Sequence, residues 1–261
     1  MTGIHQSVIK ERKENMPDYH QYHYTAGEFI RYLLEGVFMI MVLGYLFYQH
    51  PAGIFLLSPL LLLTMRQNKT RLLRERRWKL NLEFMDGIQA LSAALEAGYS
   101  AEHAMEEAYQ DLLHIYSEKE MILKEINYMI NQVHMNVPVD KAWEEFGVRS
   151  GVEDILNFSE VFGAAKRTGG DLIQIIRLSR DIICDKIEVK REIVTMISAK
   201  RLEAGIVKFV PLFILAYLML SSPDFLAPLY HNPFGVFLMS IFLLLYLSAF
   251  LIIEKIVSIE V

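Results

Sequence analysis

Residues able to do chemistry are sparse in this chain, and their spacing does not suit catalysis. Cys184 is the only cysteine, so neither an intramolecular disulfide nor a CxxC metal or redox pair can form. It falls inside a long helical pattern between Ile183 and Asp185, away from the helix terminus that would activate a thiolate, and reads as packed rather than reactive. His20 and His23 put two imidazoles three residues apart, with only Asp18 nearby to complete a metal set. The stretch Gly163-Ala164-Ala165-Lys166-Arg167-Thr168-Gly169-Gly170 has the composition of a phosphate loop. Such a loop needs its Lys directly after the last Gly, then Ser or Thr, with a strand in front. Here Lys166 precedes Gly169 and a helical pattern leads in. The expectation is a non-enzyme with no catalytic, metal or cofactor-binding residues.

Charge offers more than reactivity does. Thirteen acidic and four basic residues between Tyr99 and Glu160 give a local net charge of −9, large enough to steer a basic partner. Glu102, Glu106, Glu107, Glu144 and Glu145 are the candidate docking residues within it. Two further charges, Glu35 and Lys208, interrupt apolar runs, where ionisable groups are costly in lipid. Each lies within a turn or two of its run's end, so snorkelling to the interface is the simplest reading, with a Glu35–Lys208 pair as the alternative. A proton relay is disfavoured, since no further carboxylate or His continues the path.

The elements that must carry these residues follow from composition. Hydrophobic residues make up 53% of 261, mean hydropathy is +0.25, and charged residues still reach 22%, so the apolar residues must be concentrated. They lie in four runs: Tyr32 to Tyr48, Ala52 to Met65, Ile206 to Leu220 and Phe234 to Ile253. At 1.5 Å per residue the first two reach roughly 20–26 Å each, and a single helix through both would be too long and would bury Pro51 in its interior. Pro51 suits the first turn of a second helix. The expected architecture is all-α, with four transmembrane helices in two hairpins around a central cytoplasmic helical bundle. Its parts are a polar tail 1–31, hairpin 32–65, helical domain 66–205 with a basic linker 66–80, hairpin 206–253 and tail 254–261. The seven cations from Arg66 to Lys79, against one Glu, give that linker +6, and Lys200 and Arg201 precede the third run. Both termini are therefore expected in the cytoplasm. Nucleic-acid binding is not expected of a cluster that abuts a membrane and lacks interleaved aromatics. No basic start, apolar core and small-residue cleavage site occur in the first thirty residues, so the N-terminus reads as retained.

Between Leu80 and Glu203 apolar residues recur at helical spacing, as in Leu82, Met85, Ile88, Leu91, Leu95 or Ala104, Ala108, Leu112, Ile115. Turn signals at 98–100, 136–138, 147–151 and 168–170 divide the segment into about six helices, with Ser100, Asp140 and Asp171 expected as caps. Sliding the chain by 38 residues lays Gly98 to Glu107 over Asn136 to Glu145, a turn and a helix in each copy, with Ala104 and Ala142 equivalent. This predicts two stacked helical hairpins. From Asp171 no Gly occurs until Gly205 and no Pro until Pro211, which predicts one helix of about 34 residues entering the third run.

Three stretches together resemble the type II secretion F-domain family, in particular its Tad-type pilus platform branch. They are Gly98-Tyr99-Ser100-Ala101-Glu102-His103-Ala104-Met105; Gly163 to Thr168 followed by Gly169-Gly170-Asp171-Leu172; and Ile197-Ser198-Ala199-Lys200-Arg201-Leu202-Glu203-Ala204-Gly205 leading into Pro211. The match covers about 80–253. What the resemblance implies is a platform protein of a bacterial or archaeal plasma membrane that contacts a cytoplasmic secretion ATPase, a paralogous platform subunit and prepilin subunits, in homo- or hetero-oligomers. A transporter or permease subunit is the alternative; its spans should be polar or broken near the bilayer midplane.

Overall fold

The computed structural model describes residues 19–21, 24–168, 171–230 and 232–257. These form helices only: α1 Ala26–Tyr48, α2 Pro51–Glu96, α3 Ala101–Leu113, α4 Met121–His134, α5 Val139–Ser150, α6 Glu153–Thr168, α7 Leu172–Ser221, α8 Pro223–Tyr230 and α9 Pro233–Val257. The chain divides into two units, one of residues 1–23 and 70–188, the other of 24–69 and 189–261. Helices α2 and α7 contribute to both.

In the 70–188 unit the apolar faces converge on an aromatic cluster. Trp143 of α5 lies 5.0 Å from Phe158 of α6, edge to face, and Phe84 of α2 stands 5.6 Å from Phe158 and 6.2 Å from Phe146. Such offset and edge contacts suit the ring quadrupole. Burying each large side chain supplies roughly 1.5–3 kcal/mol before the entropy of ordering is subtracted. Leu80, Ile88, Leu112, Ile122, Met129 and Ile155 complete the core, with Ile176, Ile183 and Ile187 of α7. The 38-residue repeat has a structural counterpart. Gly98 and Asn136 both take left-handed backbone, φ +94° and +67°, the conformation that Gly and Asn adopt most readily. Ala104 and Ala142, one turn into the helices that follow, are both fully buried.

In the 24–69 and 189–261 unit, Ile40, Leu43, Leu46 and Phe47 of α1 pack with Leu57 of α2 and Met239 and Leu243 of α9. Gly44 lets α1 and α2 approach: a Cβ there would stand 2.9 Å from Ile54 Cγ1 and 3.1 Å from its backbone nitrogen. Gln49, left-handed at φ 46°, closes α1, and Pro51 opens α2. Among the described residues three helices are long and apolar enough to cross a membrane: Ala26–Tyr48, the C-terminal part of Leu172–Ser221, and Pro233–Ile253.

Several helix boundaries differ from those of the apolar runs. α1 begins at Ala26, ahead of the run that opens at Tyr32, because Thr25 and Glu28 form a capping box there. No break separates 52–65 from a linker at 66–80; α2 runs through both, since Arg, Lys, Gln and Leu are all good helix formers. Leu113 ends α3, so Ile115, which continued its spacing, is exposed in a turn. Within the turn signal at 147–151, Gly147 still lies inside α5, and the helix closes on left-handed Gly151. The long helix expected from Asp171 into the third run is unbroken from Leu172 and continues through Pro211 to Ser221.

Candidate interaction site

Two polar assemblies occupy the 70–188 unit, one at its surface and one inside it. The surface assembly holds the acidic docking candidates. Ser100 caps α3 by accepting from the His103 amide at 3.3 Å, so Glu102, Glu106 and Glu107 follow from the first turn onward. Glu106 is gripped from both sides: His103 Nδ1 lies 3.1 Å from one oxygen, and His134 Nε2, at the end of α4, 2.7 Å from the other. His134 first and His103 second hold its carboxyl below the ordinary carboxylate range. Lys166 of α6 stands between Glu102 of α3, at 3.7 Å, and Asp140 of α5, at 3.6 Å. The loop-like stretch that contains Lys166 is thus helix, and its lysine links α6 to α3 and α5. Asp140 does not cap α5, whose N-cap is Pro138; it sits in the first turn, where its charge favours the helix N-terminus.

On α5, Lys141, Glu144, Glu145, Val148 and Arg149 line one shallow surface depression. Glu144 is exposed and pairs with Lys141 at 2.7 Å. Glu145 is not a free surface carboxylate: Gln132 of α4 donates to it at 2.6 Å. Val148 is 63% exposed, an apolar centre among charges. Of the five candidates, Glu107 alone has neither a hydrogen bond nor an ion pair among the described residues.

The interior assembly was not expected from the sequence. Glu125 of α4 is completely buried, and Arg149 of α5 meets it with both terminal nitrogens, one at 2.8 Å from Oε1 and the other against Oε2. Tyr19 is also completely buried and donates its hydroxyl to Glu125 Oε1 at 2.8 Å, while its carbonyl accepts from Arg77 Nε at 2.9 Å. Burial, reinforced by the Glu125 charge, drives the Tyr19 phenol well above its ordinary value, so it stays a donor. A second buried carboxylate, Asp154 of α6, accepts from Asn81 at 2.8 Å and from Lys186 of α7 at 2.5 Å. A third, Glu83 of α2, accepts from the Ile122 amide at 3.0 Å. It caps α4 from a neighbouring helix, because the N-cap residue Glu120 makes no side-chain cap bond of its own. The signal was present: Glu125 occupies a core position in Ile122, Glu125, Ile126, Met129, an i, i+3, i+4, i+7 face.

The remaining expected residues are dispersed. Gly98 and Ala104 belong to the first turn-helix unit, and Gly163 is buried in α6. Asp171 caps α7, accepting from the Gln174 amide at 3.1 Å, just before Leu172. Pro211 is exposed on α7. Gly169, Gly170, Asp18 and His23 lie outside the described residues, as do most of tail 1–31 and the last residues of 254–261. Cys184 is half-buried and accepts from Gln89 at 3.3 Å. Glu35 and Lys208 do not pair: Glu35 takes Arg31 one turn earlier at 3.1 Å, and the Lys208 ammonium lies 4.4 Å from the centre of the Phe250 ring. Compared with known proteins, the chain matches no family model, no curated protein and no solved structure.

Proposed function

We propose that this chain is a platform protein of a Tad-type pilus or type II secretion-like machine, coupling a cytoplasmic secretion ATPase to pilin assembly without itself catalysing a reaction. It resides in a bacterial or archaeal plasma membrane with four spans, 52–65 being the short second one, and with both termini in the cytoplasm. The observation that supports this reading best is the repeated turn-helix core, with Gly98 and Asn136 both left-handed and Ala104 and Ala142 both buried, carried between apolar helices. In this reading the α3 and α5 surface, with Glu107, Glu144 and Val148, docks the ATPase. Movement of the partner passes along α7 toward the third and fourth spans, and a paralogous subunit and prepilins complete the assembly.

The test is a mild crosslink in native membranes followed by recovery of the full-length protein and identification of its partners. Recovery of a secretion ATPase by the wild type, and its loss in Glu107→Lys and Glu144→Lys, is the expected result. Glu145 is left intact because its bond to Gln132 is part of the fold. Recovery of no ATPase from membranes that preserve the complex overturns the reading in favour of a transport subunit. Ile187→Pro tests the coupling step. It removes a backbone bond in the buried part of α7, and filament assembly should stop while membrane insertion persists; normal assembly refutes transmission through α7.

A further inference from the structure

At Lys200 to Gly205, α7 passes from a charged sequence into an apolar one. Lys200 is neutralised by Glu203 at 2.9 Å, but Arg201 has neither a hydrogen bond nor an ion pair among the described residues. Its side chain heads a groove of about 380 Å³ whose other walls are Leu202, Gly205, Ile206 and Phe209. All three apolar walls are more than half exposed. The floor is Gly205, where an added Cβ would meet nothing within 4 Å. Glycine in a helix interior costs about 1 kcal/mol relative to alanine, and no packing inside the chain requires one here.

The glycine leaves room for close approach by something outside the chain. A crossing helix would be served by small residues four positions apart, and the positions four before and four after Gly205 are Arg201 and Phe209. A cation at one end of an apolar slot fits a different shape: a charged phosphate carrying a hydrocarbon tail. Guanidinium meets phosphate through two parallel N–H donors, and the tail needs only dispersion and exclusion from water. We propose that the Arg201–Phe209 groove is a binding site for one anionic diacyl phospholipid, its phosphate held by Arg201 and one acyl chain lying over Gly205 between Leu202, Ile206 and Phe209. The site would fix the depth of α7 in the leaflet and make it sensitive to lipid charge. It stands independently of the platform reading.

The test uses the full-length protein in a non-ionic detergent, titrated with phosphatidylglycerol or phosphatidylcholine and read by native mass spectrometry. The wild type should retain one saturable phosphatidylglycerol molecule with roughly tenfold preference over phosphatidylcholine, the size of one charge-assisted contact. Arg201→Gln should abolish the preference. Gly205→Leu, whose Cβ meets nothing within 4 Å and whose branched end occupies the groove between Leu202, Ile206 and Phe209, should abolish retention while the tryptophan-monitored unfolding transition stays in place. Retention by Gly205→Leu overturns the proposal. Equal loss in the double variant Arg66→Gln, Lys69→Gln also overturns it, by showing diffuse charge attraction. A change in oligomeric mass caused by Gly205→Leu overturns it in favour of a second copy docked on this face.

Discussion

In the 70–188 unit carboxylates go inside the core: Glu83, Glu125 and Asp154 are all buried, each met by a cation or a helix N-terminus. In the unit of 24–69 and 189–261 no charged side chain is buried among the described residues. Its interior polar contacts are hydroxyls: Tyr230 donates to the Leu46 carbonyl at 2.7 Å, Tyr246 to the Lys208 carbonyl at 3.0 Å, and Tyr48 shares a 3.0 Å bond with Ser240. The difference is compatible with the cost of ions in water and in lipid. A helical bundle in water can bury a carboxylate when a cation and further donors compensate it. Apolar helices that meet lipid gain nothing from such pairs but still must satisfy each polar atom, and a phenol bonded to a backbone carbonyl does so without net charge.

The largest effect expected from this contrast comes from removing one partner of a buried pair. Arg149→Ala leaves Glu125 buried and uncompensated, and the 70–188 unit should lose about 3–5 kcal/mol. Both tryptophans, Trp78 and Trp143, belong to this unit, so intrinsic fluorescence in full-length protein reports its unfolding directly. The double variant Glu125→Met, Arg149→Leu sharpens the point. It should recover most of the loss, because an apolar pair of similar volume avoids the desolvation that the ions pay. A double variant as unstable as Arg149→Ala would show that the pair itself supplies net stability.

Tyr19→Phe comes next. It keeps the ring in place but removes the donor to Glu125, at an expected cost of about 1.5–3 kcal/mol for a bond to a charged group. Tyr19→Ala should cost more, since it also opens a cavity. A Phe variant that melts with the wild type would show that Arg149 alone satisfies the carboxylate. In the other unit, Gly44→Leu drives a side chain into Ile54 and should cost about 1–3 kcal/mol by overpacking. The measurement is loss of helical ellipticity under denaturing detergent, compared with the tryptophan signal. An earlier ellipticity loss with an unmoved tryptophan transition keeps the two units distinct; a joint shift shows one cooperative body.

These residues also show what could be read in advance. The helices followed from spacing, and the breaks at Gly98 and Asn136 from residue types suited to left-handed backbone. Glu125 was legible as a glutamate on a core face, but its partner was not, because Arg149 lies 24 residues away on another helix. Tyr19 gave no signal at all. It is flanked by polar residues, and the group it bonds is 106 positions distant. The continuity of α2 was hidden for a related reason: at Arg66 the composition changes abruptly while helix propensity does not. The docking residues were found as a charge excess, yet only the packing separates Glu107 from Glu145.

The smallest predicted effect concerns Glu83 and its sign with pH. Burial raises its carboxyl above the ordinary value, opposed in part by the Ile122 amide and by Lys79. A folded pKa above the unfolded one means that the folded state binds the proton more tightly. Its contribution therefore favours folding below the unfolded value of 4.5 and is lost as pH rises through the folded value. Glu83→Gln keeps an oxygen for the Ile122 amide but cannot ionise, so it removes this dependence. Fluorescence melts of wild type and variant should diverge as pH rises above 4.5, the variant gaining relative to the wild type. Parallel curves would mean that Lys79, 3.7 Å away, already offsets the burial of the charge, and that this unit tolerates interior carboxylates at no net cost.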